Sequence, residues 1–140
     1  MRSQNVTNNA GKLWSWGANY HMQVRIPVNI SNIMKLGHYA GLEDVNGADC
    51  PSPEPIRKLQ DQKIVQLAVG YWHNLAVTDT GSLYAWGIGY HGNLGTGDTY
   101  NYTDPQWIIK LKEILVAKAS CGVQHSAIIS EDGEVQQLKF

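Results

Sequence analysis

The chain has no run of like charges, no C-x-x-C or H-x-x-x-H pair, and no apolar stretch long enough to cross a bilayer as a helix. Each gap removes a class of function. The opening MRSQNVTNNA lacks the apolar core of a secretory leader, so the expected compartment is intracellular, cytoplasmic or nuclear. With 11 Lys and Arg against 12 Asp and Glu, a net charge of -1 and no basic tail, there is no strong electrostatic hold on nucleic acid. Two cysteines, Cys50 and Cys121, fit free buried thiols in a reducing compartment. Five histidines lack zinc-ligand spacing, so no metal or other cofactor is expected. The sequons at Asn5, Asn29 and Asn101 would matter only in a secreted chain.

What the chain does contain is a repeat. Residues 63–69 are an apolar run with little alternation, which predicts a strand covered on both faces. Residues 74–78 and 82–86 predict a hairpin around Asp79-Thr80-Gly81. Four glycines between 88 and 98 exclude a helix there, and Pro105 introduces an expected fourth strand at 107–111. Gly70, His73 and Gly81 recur 52 residues on as Gly122, His125 and Gly133. Toward the N-terminus, residues 11–21 (GKLWSWGANYH) match residues 81–91 (GSLYAWGIGYH) at six of eleven positions, displaced by 70. The longer displacement marks an insertion, MQVRIPVNISNIM at residues 22–34.

These units divide the chain into a frayed terminus at 1–10, a partial repeat with insertion at 11–62, a full repeat at 63–114 and a partial repeat at 115–140. The first repeat is entered at its second strand. Residues 41–55, with prolines at 51, 53 and 55, are expected to run as an extended loop into a strand at 55–59. The last repeat carries Leu138 where Trp86 predicts tryptophan.

The order G-x-x-H, strand, D-x-G-x-L-x-x-W-G, G-x-L-G-x-G-D and proline strand resembles the regulator of chromosome condensation (RCC1) repeat. The residues that carry it are Gly70, His73, Gly81, Trp86, Gly87, Gly92, Leu94, Gly95 and Gly97, with Gly122, His125 and Gly133 in the last unit. The resemblance implies an all-β fold, a partial RCC1-like β-propeller of about two and a half blades, each a four-stranded antiparallel sheet. It implies a protein-protein interaction or scaffold module that is not an enzyme. The alternatives it implies are a guanine-nucleotide exchange factor for a small Ran-like GTPase, and a propeller fragment of a larger regulatory protein such as a ubiquitin ligase. Partners would be proteins, and open propeller ends imply self-association or completion by further repeats.

Other motifs compete with this reading. Residues 87–92 spell G-x-G-x-x-G, but no helix can follow to hold a pyrophosphate, and the repeat already accounts for the glycines. His73 and His125 are repeat-equivalent, and each is expected to fix its own turn by hydrogen bonds. Ser126 follows His125 directly, and neighbours in a strand point to opposite faces, so no nucleophile and base pair forms there. Trp14, Trp16, Tyr84 and Trp86 read as blade packing. Tyr20, Tyr90, Tyr100 and Tyr102 fall in expected loops and are the candidate partner contacts. Because residues 22–34 interrupt the repeat without destroying the motifs on either side, deleting them should leave a soluble chain with a cooperative thermal melt. Loss of soluble protein would place the insertion in the core instead.

Overall fold

The computed structural model describes residues 4–7, 10–17 and 50–139, with side chains at 10–12 and 56–139. Ten strands follow one another in these residues: β1 (Gln4–Thr7), β2 (Leu13–Gly17), β3 (Cys50–Pro55), β4 (Ile64–Val69), β5 (His73–Thr78), β6 (Leu83–Gly87), β7 (Tyr102–Trp107), β8 (Val116–Cys121), β9 (Ser126–Ser130) and β10 (Val135–Leu138). They form three antiparallel sheets in the orders β1-β2-β3, β4-β5-β6-β7 and β8-β9-β10. Tyr20, His21 and the insertion at 22–34 lie outside the described residues.

β5 is buried at every position, because it lies between β4 and β6 within its sheet and between two neighbouring sheets. Its alternation divides the core in two. Leu75 and Val77, with Leu83, Ala85, Leu94 and Ile108, pack against Val116, Ala119, Ile128 and Leu138 of the third sheet. Ala76 and Trp86 pack the other way, against Ile56, Leu59 and Ile64. Each fully buried Leu or Ile is worth roughly 1.5–3 kcal/mol, so most of the stability lies between sheets. Leu138 stands opposite Ser126 where Trp86 stands opposite Asn74, and so fills the tryptophan's register position.

Four expectations are corrected. The strand covered on both faces is β5; β4 is an edge strand with Val65 56% exposed. An unbroken apolar run does not say which strand has two neighbours. The fourth strand runs over Tyr102–Trp107, and Ile109–Leu111 winds into a 3-10 turn. In the same way β3 ends at Pro55, and Arg57–Leu59 forms the matching turn. Both strands tolerate proline because each pairs on one side only. In both, a four-residue step of the edge strand is matched by a two-residue step of its partner. Finally, residues expected to fray supply β1, which pairs Gln4 with Trp16 and Val6 with Trp14. The backbone ladder to β2 outweighs the polar composition.

The second and third sheets are bonded at a constant offset of 53 residues. The Gln66 amide donates to the Ala119 carbonyl at 2.9 Å and accepts from the Ala119 N–H at 2.8 Å, filling the place of a peptide group. Cys121 Sγ lies 3.5 Å from the Ala68 carbonyl, and His73 Nε2 lies 2.6 Å from Ser126 Oγ. A glycine clasp adds to them. The Gly81 carbonyl accepts from Val116 N–H at 2.9 Å, as the Gly11 carbonyl accepts from Ile64 N–H at 2.9 Å. Beyond the third sheet nothing repeats the clasp among the described residues. Val135, at the position of buried Leu83, is exposed, and so is His125 at the position of His73.

The two hairpin glycines provide an internal comparison. Gly81 (φ +77°) and Gly133 (φ +90°) share a backbone that disfavours a Cβ, but a Cβ at Gly81 would also lie 3.0 Å from Leu115 Cα, while nothing lies within 4 Å of one at Gly133. Gly133→Ala is expected to cost about 1 kcal/mol and Gly81→Ala about 2–3 kcal/mol in urea titrations. Equal costs would show that the clasp does not grip. The His73 bond carries a pH signature. Burial at the seam, helped by the nearby His125 and opposed by a hydrogen bond to the His125 backbone, lowers its pKa from 6.5 to about 4. The unfolded chain therefore binds the proton first, so stability is full above pH 6.5 and falls as pH drops toward 4, by on the order of 3 kcal/mol. His73→Gln should flatten that slope between pH 6.5 and 4; an unchanged slope would remove His73 as its source.

Candidate functional site

In the G-x-x-H turn the imidazole lies over its own glycine while the backbone closes the turn. Gly70 N–H donates to the His73 carbonyl at 2.8 Å, and Gly122 N–H to that of His125 at 2.8 Å. A Cβ on Gly70 would lie 2.6 Å from the Gly122 carbonyl and 2.8 Å from His73 Cε1; on Gly122 it would lie 2.1 Å from His125 Cε1. The turn is thus closed by backbone, and the His73 ring is spent across the seam on Ser126, which corrects the expectation that it fixes its own turn. The distance of 2.6 Å is within reach of a nucleophile and its base. The surroundings remove that chemistry. Both residues are fully buried, so neither side chain is open to a substrate. Cys121 is a free thiol whose pKa burial pushes up to about 12, leaving it an unreactive packing group.

The loop at 88–101 follows Gly87, the last residue of β6, and holds the rest of the glycine motif. Gly92 N–H donates to the Gly89 carbonyl at 2.8 Å and Gly95 N–H to that of Gly92 at 3.1 Å. No helix follows Gly92. Leu94 plugs the core, while Asn93 Nδ2 donates to the Ile88 carbonyl at 2.9 Å. Asn101 Oδ1 accepts from Gly89 N–H at 2.9 Å. Past Gly97, Asp98 ties the end of the loop by accepting from Thr96 Oγ1 and Tyr100 N–H at 3.0 Å and from the Tyr102 hydroxyl at 2.7 Å. Desolvation alone would raise Asp98, but those bonds and the Lys110 charge hold its carboxyl below the usual range. The same hydrogen bond, foremost, pushes Tyr102 up to about 12.

The structure separates the candidate tyrosines. Tyr90 and Tyr100 project from this tied loop, 53% and 70% exposed. Tyr102 opens β7 instead of lying in a loop, is half-buried, and is committed to Asp98. Tyr71, which the sequence reading missed, is also exposed: it stands edge-on to Trp72, ring centroids 5.4 Å apart, and the Trp72 carbonyl accepts from Ile88 N–H at 2.8 Å. Its signal was its place one residue inside the G-x-x-H turn. Trp86, by contrast, is wholly buried between sheets. Among the described residues no three His, Cys, Asp or Glu side chains are grouped to hold a metal, and no helix is long and apolar enough to cross a membrane.

Residues 10–77 and 80–129 match the model of the regulator of chromosome condensation (RCC1) repeat, and residues 64–93 match a second model of the same repeat. The ultraviolet-B receptor UVR8 of Arabidopsis thaliana is 36% identical over 99 residues, 71% of this chain and 22% of the receptor. The human E3 ubiquitin-protein ligase HERC2 is 33% identical over 119 residues, 84% of this chain and 2% of the ligase. The chain therefore spans less than a quarter of either relative. Among solved structures, Prp20p of Saccharomyces cerevisiae, described with its binding properties to Gsp1p and histones, aligns with 99% of this chain at TM-score 0.69 and 24% identity, over 29% of its own length. The same yeast protein with Kap60 bound aligns at TM-score 0.73 and 18% identity, covering 99% of this chain and 30% of that one. By its matched repeats and its three stacked antiparallel sheets, this chain belongs to the RCC1 repeat family and forms part of an RCC1-like β-propeller.

Proposed function

We propose that this chain is a protein-binding module that holds its partner through the tyrosine-bearing loop and makes or breaks no bond itself. One observation carries the reading. The groups with chemical reach, His73, Ser126 and Cys121, are spent inside the seam, whereas the loop at 88–101 is braced by its own hydrogen bonds and carries Tyr90 and Tyr100 with more than half of their surface exposed. Rigid aromatic side chains at a surface bind at low entropic cost. The relatives support the same view, because a light receptor and a ubiquitin ligase share this segment without sharing a reaction. We place the module inside the cell.

Exchange on a small GTPase is the second reading, favoured by the likeness to Prp20p, a protein described as binding Gsp1p. A single assay separates the two. A Gsp1p-type GTPase loaded with fluorescent GDP should bind the chain, and Tyr90→Ala with Tyr100→Ala should weaken that binding about tenfold, with nucleotide release staying within about twofold of the intrinsic rate. Release accelerated tenfold or more would overturn the pure binding role; binding indifferent to both tyrosines would remove the loop from the contact.

A further inference from the structure

The hairpins of the second and third sheets are held on the same backbone. Asp79 N–H donates to the Lys63 carbonyl at 2.9 Å, and Glu131 N–H to the Leu115 carbonyl at 2.8 Å. A hydroxyl tightens each hairpin: Ser82 N–H donates to Thr78 Oγ1 at 3.0 Å, and Glu134 N–H to Ser130 Oγ at 3.1 Å. The side chains on this shared frame differ. In the second repeat Lys63 Nζ stands 3.9 Å from Asp79 Oδ2, so a cation on one segment faces an anion on the other. One repeat on, leucine takes the place of the lysine and glutamate that of the aspartate, while Thr80 gives way to Asp132 and Ser82 to Glu134.

A cleft of about 380 Å³ lies between the two segments of the third repeat. Ile114, half-buried, and Leu115, 53% exposed, give it an apolar wall. Glu131, Asp132 and Glu134 give it three carboxylates, and no Lys, Arg or His lines it. Glu113 lines it as well but has its own counterion, Lys112 Nζ at 3.7 Å. The hydrogen bond from the Ser130 hydroxyl holds the Asp132 carboxyl below the usual range, so that group stays charged.

This place is exposed in the second repeat too: the Lys63 side chain is 61% exposed although β4 touches both β1 and β8. Gln136, which also lines the cleft, takes the register position of Tyr84, and Tyr84 packs toward the preceding sheet. The cleft therefore opens on the side of the third sheet that looks back at the second.

An apolar wall beside three carboxylates fits a side chain that is apolar along its stem and positive at its tip. The second repeat supplies such a group from within, as Lys63; the residues lining the third supply none. A metal ion would leave the Leu115 wall unused, and among the described residues no three acidic groups are placed to hold one. We propose that the cleft receives an arginine or lysine side chain from a basic, apolar-flanked segment of a partner protein, its stem on Ile114 and Leu115 and its charged head among Glu131, Asp132 and Glu134. The inference rests on the reading of the chain as a binding module, but it uses the hairpin end of the sheets, which the length of a strand separates from the end that carries the loop at 88–101. Each can fail while the other holds.

The probe is a short fluorescein-labelled peptide of alternating arginine and leucine, titrated into the 140-residue chain beside a neutral match in which citrulline replaces arginine. Saturable binding of the arginine peptide is expected, about tenfold or more tighter than that of the citrulline peptide. Leu115→Lys restores the internal cation on a backbone that already carries lysine in the second repeat, and should weaken binding about tenfold; Glu131→Gln with Glu134→Gln should do the same. Should a variant fail to fold, amide chemical shifts of the unaltered chain decide, and those of Leu115 and Glu131 should move to saturation with the arginine peptide. Equal binding of the two peptides, binding indifferent to Leu115→Lys, or shifts confined to other residues overturns the proposal. So does a concentration-dependent dimer that Leu115→Lys abolishes, since the occupant would then be a second copy of this chain.

Discussion

A polar group that leaves its own sheet to satisfy the next one is the constraint on which this structure depends. Adjacent sheets of a propeller meet face to face, and their backbones are already paired within each sheet. Side chains therefore supply the specific bonds between them that the Gly81–Val116 backbone clasp does not. The Gln66 amide does so by standing in for a peptide group at Ala119, and the His73 ring by reaching Ser126. Both are buried or half-buried, where a lost partner leaves an unmet group costing about 1–3 kcal/mol. The offset of 53 is the repeat period plus one, so one geometric rule produces the bonds of Gln66, His73 and Cys121 along the seam.

Much of this fold is written locally and was legible in the sequence. Gly81 and Gly133 mark their hairpins because only a left-handed residue closes a loop of that length, and the period of 52 follows from two such marks. The neighbours of a strand are not local. The apolar run at 64–69 and the run at 73–78 look alike, yet the first is an edge and the second is enclosed on four sides. The position of β7 was misplaced for a related reason: Ile108 and its neighbours are apolar because they anchor a turn in the core, not because they lie in the ladder. β1 could not be seen at all until β2 offered it a partner.

The candidate site was legible to a different degree. Tyr90 and Tyr100 fall in an expected loop and are exposed, but Tyr102, identical in type and two residues beyond Tyr100, is tied to Asp98. Ser126 was set aside because its sequence neighbour His125 points elsewhere; its partner proved to be the histidine one repeat back. In a repeat protein, the residue that matters to a side chain is one period away as often as one turn away. The polar residues that look most chemical are then the ones that hold repeats together.

The central claim, that the seam makes the second and third sheets one cooperative unit, is tested most directly by native-state hydrogen exchange. The account predicts that the bonded amides of β5, around Leu75 to Val77, and of β9, around Ala127 to Ile129, open with the same free energy and the same dependence on denaturant. Exchange of β9 through a separate, lower-energy opening while β5 stays protected would contradict it.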